Sequence, residues 1–144
     1  MENNKYYTPE IEEFRVGFEY EYLGDRVENT RWHKTTFSWY DSKIKVHGLF
    51  FVESKIQNKT VRVKYLDSQD IEELGFKYIP DLSEGDGNVR WYDLYEKGNI
   101  SLLHWDYSNE DTKIVIKRNN SIIFEGTILN KSELKWILTR IGVL

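Results

Sequence analysis

The chain has 144 residues, the usual size of one domain, and its 40% hydrophobic and 31% charged residues are typical of a globular rather than a disordered protein. The absence of cysteine excludes disulfides, thiolate metal sites and a cysteine nucleophile, and a net charge of −4 argues against a dedicated DNA-binding protein. An aromatic content of 15% predicts a core rich in sheet. We expect a single domain over residues 1–144.

The N-terminal segment has no apolar stretch of the kind found in secretory leaders. The longest apolar run near it, GLFFV at residues 48–52, is far too short to span a bilayer. Both features predict a soluble, cytoplasmic protein that does not use a membrane.

The first predicted strand covers residues 14–23, where apolar and polar residues alternate. Its core face is expected to carry Phe14, Val16, Phe18 and Tyr20. Residues 60–66 repeat the pattern with a basic outer face, Arg62 and Lys64, whereas the outer face of the first strand is acidic. Because opposite charges favour cross-strand pairs, the two strands are expected to pair. Residues 32–40 are strand-like, and residues 43–57 suit a helix or a strand.

A short helix is predicted over residues 66–75. Asp67 or Ser68 can cap its start, and Gly75 can stop it. Phe76 is placed for the hydrophobic contact that follows such a stop. The acidic, glycine-containing residues 80–88 are typical of a solvated loop.

Four strands are predicted after this loop, over residues 90–95, 100–106, 113–118 and 122–128, and the short turns between them indicate an antiparallel meander. The last hairpin can close through a two-residue turn, Asn119-Asn120, or through a three-residue loop, residues 119–121. The longer loop separates core from charged residues better, and we prefer it. It places five apolar residues on one face: Ile114, Ile116, Ile122, Phe124 and Ile128.

The final element is a helix over residues 131–141, with Asn130 and Glu133 forming a capping-box pattern and Gly142 at its end. Its apolar stripe consists of Leu134, Ile137, Leu138 and Ile141. The predicted fold is therefore α+β: a largely antiparallel β-sheet meander, a short internal helix, and a C-terminal amphipathic helix packed on the sheet.

Trp136 lies about 200° around the helix axis from Leu134, away from the stripe. Two alternatives follow for the Trp136 ring: either a loop covers it, or it is partly exposed to solvent. An exposed Trp136 would form a Trp/Arg pair with Arg140 one turn away, and these residue types dominate binding hot spots. Both are candidate partner-binding residues.

The C-terminal third is basic. Residues 113–144 hold six Lys/Arg and two Glu, a net charge of +4, so −8 falls on residues 1–112. The preferred interpretation is attraction between the two parts within one fold. The alternative is a nucleic-acid-associated domain that uses the basic third.

Motifs for catalysis or metal binding are absent from the sequence. The three histidines are never at ligand spacing, and the P-loop, the dinucleotide fingerprint and the nucleophile elbow are missing. We expect no metal, no cofactor and no catalytic residue.

One cluster of polar and aromatic side chains is predicted on the strands at residues 90–95 and 100–106. If these strands pair across a turn at residues 96–99, Trp91, Asp93 and His104 share a face, with Trp91 opposite His104 and Asp93 diagonal to it. An Asp–His pair beside an aromatic residue can serve acid–base chemistry, but no nucleophile stands beside this one. A surface cluster is the preferred interpretation, so the three residues are further candidates for binding a partner.

Several segments resemble a known group of proteins: YTPEIEEF and GFEYE at residues 7–14 and 17–21, RVKYLD and DIEELGF at 62–67 and 70–76, and FEGTI and NKSELK at 124–128 and 130–135. Together they resemble small uncharacterised proteins of Bacteroidota and their phages, a group with no assigned activity. The resemblance implies a small phage-like accessory protein that acts by contact with host machinery.

Three functions follow from these observations. The first is non-enzymatic binding of a macromolecular partner, with a protein preferred. The second is nucleic-acid association through the basic C-terminal third. The third, ranked last, is an enzyme that uses the Asp93/His104 face.

Overall fold

The structure, a computed structural model, describes residues 5–24, 31–38, 40–41, 46–80, 85–86, 89–90, 92–105 and 112–144. The described residues form antiparallel sheets and helices, which confirms the predicted α+β class. The chain divides into two compact units, Met1–Lys64 (unit 1) and Tyr65–Leu144 (unit 2), and each is described by itself. The single domain expected from the chain length stays a prediction.

Unit 1 is built on a four-stranded antiparallel sheet in the order β1-β6-β2-β3. Its strands are β1 (Tyr6–Tyr7), β2 (Glu19–Leu23), β3 (Trp32–Thr36) and β6 (Val61–Lys64). A 3-10 helix (Ile11–Glu13) precedes β2, and a short ladder pairs β4 (Tyr40–Asp41) with β5 (Val46–His47). Helix α1 (Gly48–Gln57) precedes β6, so the ambiguous segment 43–57 is helical from Gly48 onward.

One face of this sheet carries the core of unit 1. Its buried members are Phe14, Phe18, Tyr20, Phe37, Val52, Val61 and Val63. The Phe14 ring is central, because its centroid lies 4.9 Å from that of Phe18, 5.2 Å from that of Tyr20 and 5.6 Å from that of Phe37. Tilted and edge-on ring pairs at such distances add to the stabilisation from burial.

The predicted start of the first strand is wrong. Val16 is 65% exposed rather than buried, and the strand begins only at Glu19. The cause is a turn in which the Phe18 N–H donates to the Arg15 carbonyl at 2.9 Å and Gly17 adopts a φ of +94°. Only glycine adopts such a φ readily. The remaining members of the predicted core face are buried: Phe14, Phe18 and Tyr20.

Unit 2 is built on a five-stranded antiparallel sheet in the order β13-β12-β11-β10-β7. Its strands are β7 (Lys77–Tyr78), β10 (Asp93–Lys97), β11 (Ile100–Trp105), β12 (Lys113–Arg118) and β13 (Ser121–Thr127). A short ladder pairs β8 (Gly85–Asp86) with β9 (Val89–Arg90). The described residues of this unit form two helices, α2 (Ser68–Glu73) and α3 (Lys131–Arg140). The order of β10 to β13 confirms the predicted meander.

Side-chain caps fix the starts of both helices of unit 2. The Asp67 carboxylate accepts from the Asp70 N–H at 2.9 Å, and the Asp70 carboxylate accepts from the Asp67 N–H at 3.2 Å. At α3, the Asn130 Oδ1 accepts from the Glu133 N–H at 2.8 Å. Such caps satisfy amide groups that have no partner inside the helix. Gly75, at a φ of +97°, follows the end of α2 as predicted.

The core of unit 2 lies between the sheet and the helices. Its fully buried members include Ile71, Leu102, Ile114, Ile116, Ile128, Leu134 and Leu138. Leu134, Ile137 and Leu138 come from the predicted apolar stripe of α3, so this helix packs on the sheet as expected.

The last hairpin closes through the two-residue turn, so the predicted three-residue loop is wrong. Asn119 and Asn120 have φ values of 50° and 68°. Positive φ at both central residues is what the tightest hairpin turn needs, and asparagine tolerates it better than most residues. Ile122 consequently pairs with Lys117 and is 57% exposed instead of buried.

A β-bulge restores the rest of the predicted register. Beyond the Lys117–Ile122 pair the register shifts by one residue, so Ile116 pairs with Phe124. The three-residue loop would have given the same Ile116–Phe124 pair. The extra residue is therefore present, but in the strand at Ile123, which packs partly buried against the core.

Replacing Asn120 by Val is expected to lower the free energy of unfolding by about 1–2 kcal/mol, because a branched side chain is strained in the left-handed region. Urea unfolding followed by circular dichroism measures the loss. The control is Asn120→Gly, which has no Cβ and should retain most of the stability. An equal loss in both variants would contradict the turn conformation.

Candidate functional site

Helix α3 turns one side to the core and the opposite side outward. Leu134 and Leu138 are 0% exposed, whereas Trp136 is 42% exposed. The prediction that Trp136 lies away from the apolar stripe is confirmed, and of the two alternatives the ring is partly exposed. The buried stripe fixes the helix, and thereby fixes where the indole is presented.

Arg140 covers part of the exposed indole. Its Cζ lies 4.9 Å from the centre of the Trp136 ring, within the range of a cation–π contact. The two residues are one helical turn apart, where side chains on a helix surface meet. Arg140 also stands in the last turn, where a cation is stabilised by the helix dipole. The predicted Trp/Arg pair is thus formed.

We define the α3 outer face as Ser132, Lys135, Trp136, Thr139 and Arg140. It carries two cations, and Glu133 borders it about 60° from Trp136 around the helix axis. Glu133 is the acidic residue of α3, and its Oε2 accepts from the Leu129 N–H at 3.2 Å beside the helix start. The outer face therefore presents two cations beside a partly exposed indole, with the Glu133 carboxylate at its edge turned to the helix start.

Other cations of the basic C-terminal third have partners within unit 2. Lys113 pairs with Glu125 at 2.6 Å, and Lys131 pairs with Glu73. An Arg118 nitrogen, Nη2, donates to the Ile141 carbonyl at 3.2 Å. Of these contacts, the Lys131–Glu73 pair joins the basic third to the acidic remainder of the chain, whereas the other two lie within the basic third, so the preferred interpretation of the uneven charge stays a prediction.

The predicted Trp91–Asp93–His104 cluster has a different register. Strands β10 and β11 close through a two-residue turn at residues 98–99, in which Gly98 has a φ of +60°. Asp93 therefore lies directly opposite His104, and the predicted diagonal arrangement is wrong by two residues. Asp93 and His104 still share a face, because a two-residue shift preserves the alternation of a strand. Trp91 lies outside the described residues.

His104 belongs to the interior of unit 2, and Asp93 is half-buried. His104 is 6% exposed and lies in register with Ile114, on the sheet face that packs against α3. The hydroxyl of Tyr78 donates to the Asp93 Oδ1 at 3.2 Å, and the Tyr78 and Tyr95 ring centroids are 5.4 Å apart. Buried polar groups that hydrogen-bond in this way stabilise a core, and His104 offers little surface to a macromolecule.

Burial raises the pKa of Tyr95 above its usual 10.0, and the charge of Asp93 adds to the rise, whereas a hydrogen bond with Ser68 opposes it. We expect the Tyr95 hydroxyl to lose its proton at a higher pH in the folded protein than in the unfolded chain. The native state keeps a proton that the unfolded state releases, so this contribution to stability is present below about pH 10 and is lost as the pH rises above it. Ultraviolet titration of phenolate formation tests this, because Tyr95→Phe should remove a late phase. An unchanged titration curve would contradict it.

The structure also assembles a cluster that the sequence did not predict. On the outer face of the unit 1 sheet, the Arg62 Cζ lies 3.7 Å from the centre of the Tyr6 ring and 4.2 Å from that of Trp32. A nitrogen of the same guanidinium, Nη2, pairs with the Glu21 Oε1 at 3.1 Å. Glu21 and Arg62 are register partners, which confirms the pairing expected from opposite charge. The guanidinium thus has a carboxylate and two rings of its own chain around it.

No group of three His, Asp or Glu side chains converges to hold a metal ion within the described ranges. In the same part of the chain no helix has the length and apolar character needed to cross a membrane. Comparison of the sequence with models of known protein families, with curated proteins and with solved structures found no match. The geometry of the α3 outer face is therefore the basis for assigning a role.

Proposed function

We propose that this protein acts without catalysis, by binding another protein through the α3 outer face. The observation that carries the proposal is the side chain of Trp136, 42% exposed, with the Arg140 Cζ 4.9 Å from its ring centre. An aromatic side chain can bury about 150–250 Å² in all, and a partner that covers this indole would bury the part that is still exposed. Tryptophan and arginine are also the residue types most enriched in binding hot spots.

Exposure alone is a weak argument, since single apolar residues are common on protein surfaces. Phe50 and Val16, for example, are 71% and 65% exposed. Trp136 differs because it stands on a helix anchored by a buried stripe and its ring contacts Arg140. A side chain that is already held in place loses less conformational entropy on binding.

A protein partner is favoured over nucleic acid. Three of the six cations of the basic third are engaged locally, since Lys113 and Lys131 form ion pairs and Arg118 bonds a carbonyl. Nucleic-acid binding commonly depends on several cations that contact successive phosphates. An enzymatic role for the Asp93/His104 pair is favoured least, because His104 is buried.

An accessory role in the cytoplasm is part of the same proposal. It rests on the resemblance of six short segments to proteins of Bacteroidota and their phages, which suggests a host protein as the partner. Binding to host machinery needs a presented surface rather than a catalytic centre, and the α3 outer face is such a surface.

The proposal is tested by affinity capture from a Bacteroidota lysate, carried out with and without nuclease treatment. The baits are the wild-type protein, Trp136→Ala, and Phe50→Ala as a matched control that also removes an exposed aromatic ring. Wild type and Phe50→Ala should capture the same protein in stoichiometric amount. Trp136→Ala should lose it, because truncating a hot-spot residue costs about 2 kcal/mol or more of binding free energy.

Two results would overturn this. Undiminished capture by Trp136→Ala would show that the α3 outer face is not the binding surface. Capture that disappears on nuclease treatment would assign the surface to nucleic acid instead.

A further inference from the structure

Resting on the proposed function, we infer that the segment bound by the α3 outer face is an acidic peptide segment of the partner, with an apolar side chain between its carboxylates. The inference rests on two cations, Lys135 and Arg140, which lie on either side of the exposed indole of Trp136. It also rests on the fact that neither cation forms an ion pair with a described residue.

The two cations flank the aromatic ring. At 100° per residue, Lys135 and Arg140 lie about 140° apart around the helix axis and about 7.5 Å apart along it. Trp136 and Thr139 fall between them on the same arc. An apolar side chain laid on the indole therefore has a cation on each side, and carboxylates next to it would meet both.

These cations have no acidic partner in their own chain, as far as the structure describes it. Neither Lys135 nor Arg140 forms an ion pair with a described residue. Lys113, Lys131 and Arg62 contrast with them, because each pairs with a glutamate. Among the described residues, then, no carboxylate forms an ion pair with either cation of the α3 outer face.

Charge complementarity favours an acidic segment of the partner over a basic segment as the ligand of the α3 outer face. A carboxylate brought to Lys135 or Arg140 gains attraction and can form charge-assisted hydrogen bonds, whereas a basic segment is repelled. Nucleic acid also carries negative charge, but proteins that bind it neutralise many phosphates, and two cations offer little of that. One apolar contact flanked by two ion pairs fits a short acidic peptide segment better.

The test uses three labelled probes and fluorescence anisotropy at low salt. The first is a peptide in which glutamate alternates with phenylalanine, the second has lysine in place of each glutamate, and the third is single-stranded oligodeoxythymidine. The acidic peptide should bind the wild-type protein most tightly, and its affinity should fall as salt is added, because salt screens exposed charges.

The matched variants reverse or remove the charge of the two cations beside Trp136, and a control variant reverses the charge of a cation elsewhere. Lys135→Glu combined with Arg140→Glu should raise the Kd of the acidic peptide by about tenfold or more, and the neutral pair Lys135→Gln and Arg140→Gln should raise it less. The control is Lys117→Glu on β12, a cation that also makes no ion pair with a described residue. It should change the Kd by less than about twofold. Circular dichroism verifies that each variant is folded.

The outcomes separate this inference from the proposed function. Equal or tighter binding of the basic peptide or the oligonucleotide, or no binding of the acidic peptide, overturns the inference. In the capture experiment, loss with Trp136→Ala but full retention with Lys135→Glu and Arg140→Glu would keep the proposed function and overturn the acidic segment. Full capture by Trp136→Ala would overturn both.

Discussion

Replacing Leu138 by Ala is expected to lower the free energy of unfolding by about 2–5 kcal/mol. Leu138 is 0% exposed and belongs to the core of unit 2 together with Leu102, Ile114 and Ile116. Truncation removes buried methyl groups and leaves a cavity that close-packed neighbours fill only in part. Urea unfolding followed by circular dichroism measures the effect.

Trp136→Ala is the control on the same helix. Because Trp136 is 42% exposed and its ring contacts Arg140, we expect a loss of about 1 kcal/mol or less, well below that at Leu138. The pair of variants thus separates the buried stripe of α3 from its outer face. A loss at Trp136 as large as that at Leu138 would make Trp136 a core residue and remove the basis of the proposed binding surface.

Phe14→Ala should destabilise unit 1 by about 3–5 kcal/mol, the usual loss for a buried phenylalanine. The ring is 7% exposed, and its removal eliminates three ring contacts, to Phe18, Tyr20 and Phe37. Each such contact adds about 0.5–1.5 kcal/mol beyond burial, so the upper part of the range is expected.

The matched control in the same unit is Phe50→Ala. This phenylalanine is 71% exposed, and its replacement should change the unfolding free energy by about 0.5 kcal/mol or less. Near-ultraviolet circular dichroism during urea unfolding reports on the aromatic core directly. Similar losses at the two positions would show that Phe14 does not organise this cluster.

Local signals in the sequence located the helices of unit 2 closely. Asp67, one of the two candidates, caps the start of α2, Asn130 caps α3 as expected, and Gly75 has the positive φ expected of a glycine that follows a helix. These features depend on residues within one helical turn of each other, so a single chain segment contains all the information needed.

Registers were harder to predict, because alternation fixes which residues share a face but not where an extra residue is accommodated. In the last hairpin the extra residue lies in strand β13 rather than in the turn, which moves only Ile122 out of the core. Between β10 and β11, a tight turn at Gly98 shifted the pairing by two residues, and Asp93 and His104 stayed on one face. Val16 was misplaced because a turn interrupts an alternating pattern.

The candidate surfaces also differ in whether local sequence is enough to predict them. Helical geometry alone placed Trp136 opposite the stripe, but its exposure depends on whether another segment covers it. The cluster around Arg62 brings together strands β1, β6 and β3, which are distant in sequence, and only the strand order of the sheet makes Tyr6 and Trp32 its neighbours. No local pattern contains that order.

The bulge near the start of β13 bears on how this protein behaves at high concentration. Among the described strands, β13 lies at one of the two edges of its sheet, and it carries two consecutive isoleucines, Ile122 and Ile123. A straight, apolar edge of this kind is a template on which a second chain can add a strand and start aggregation. The bulge breaks the regular spacing of the backbone groups beside these isoleucines and increases the local twist. An incoming strand therefore finds no continuous ladder to extend.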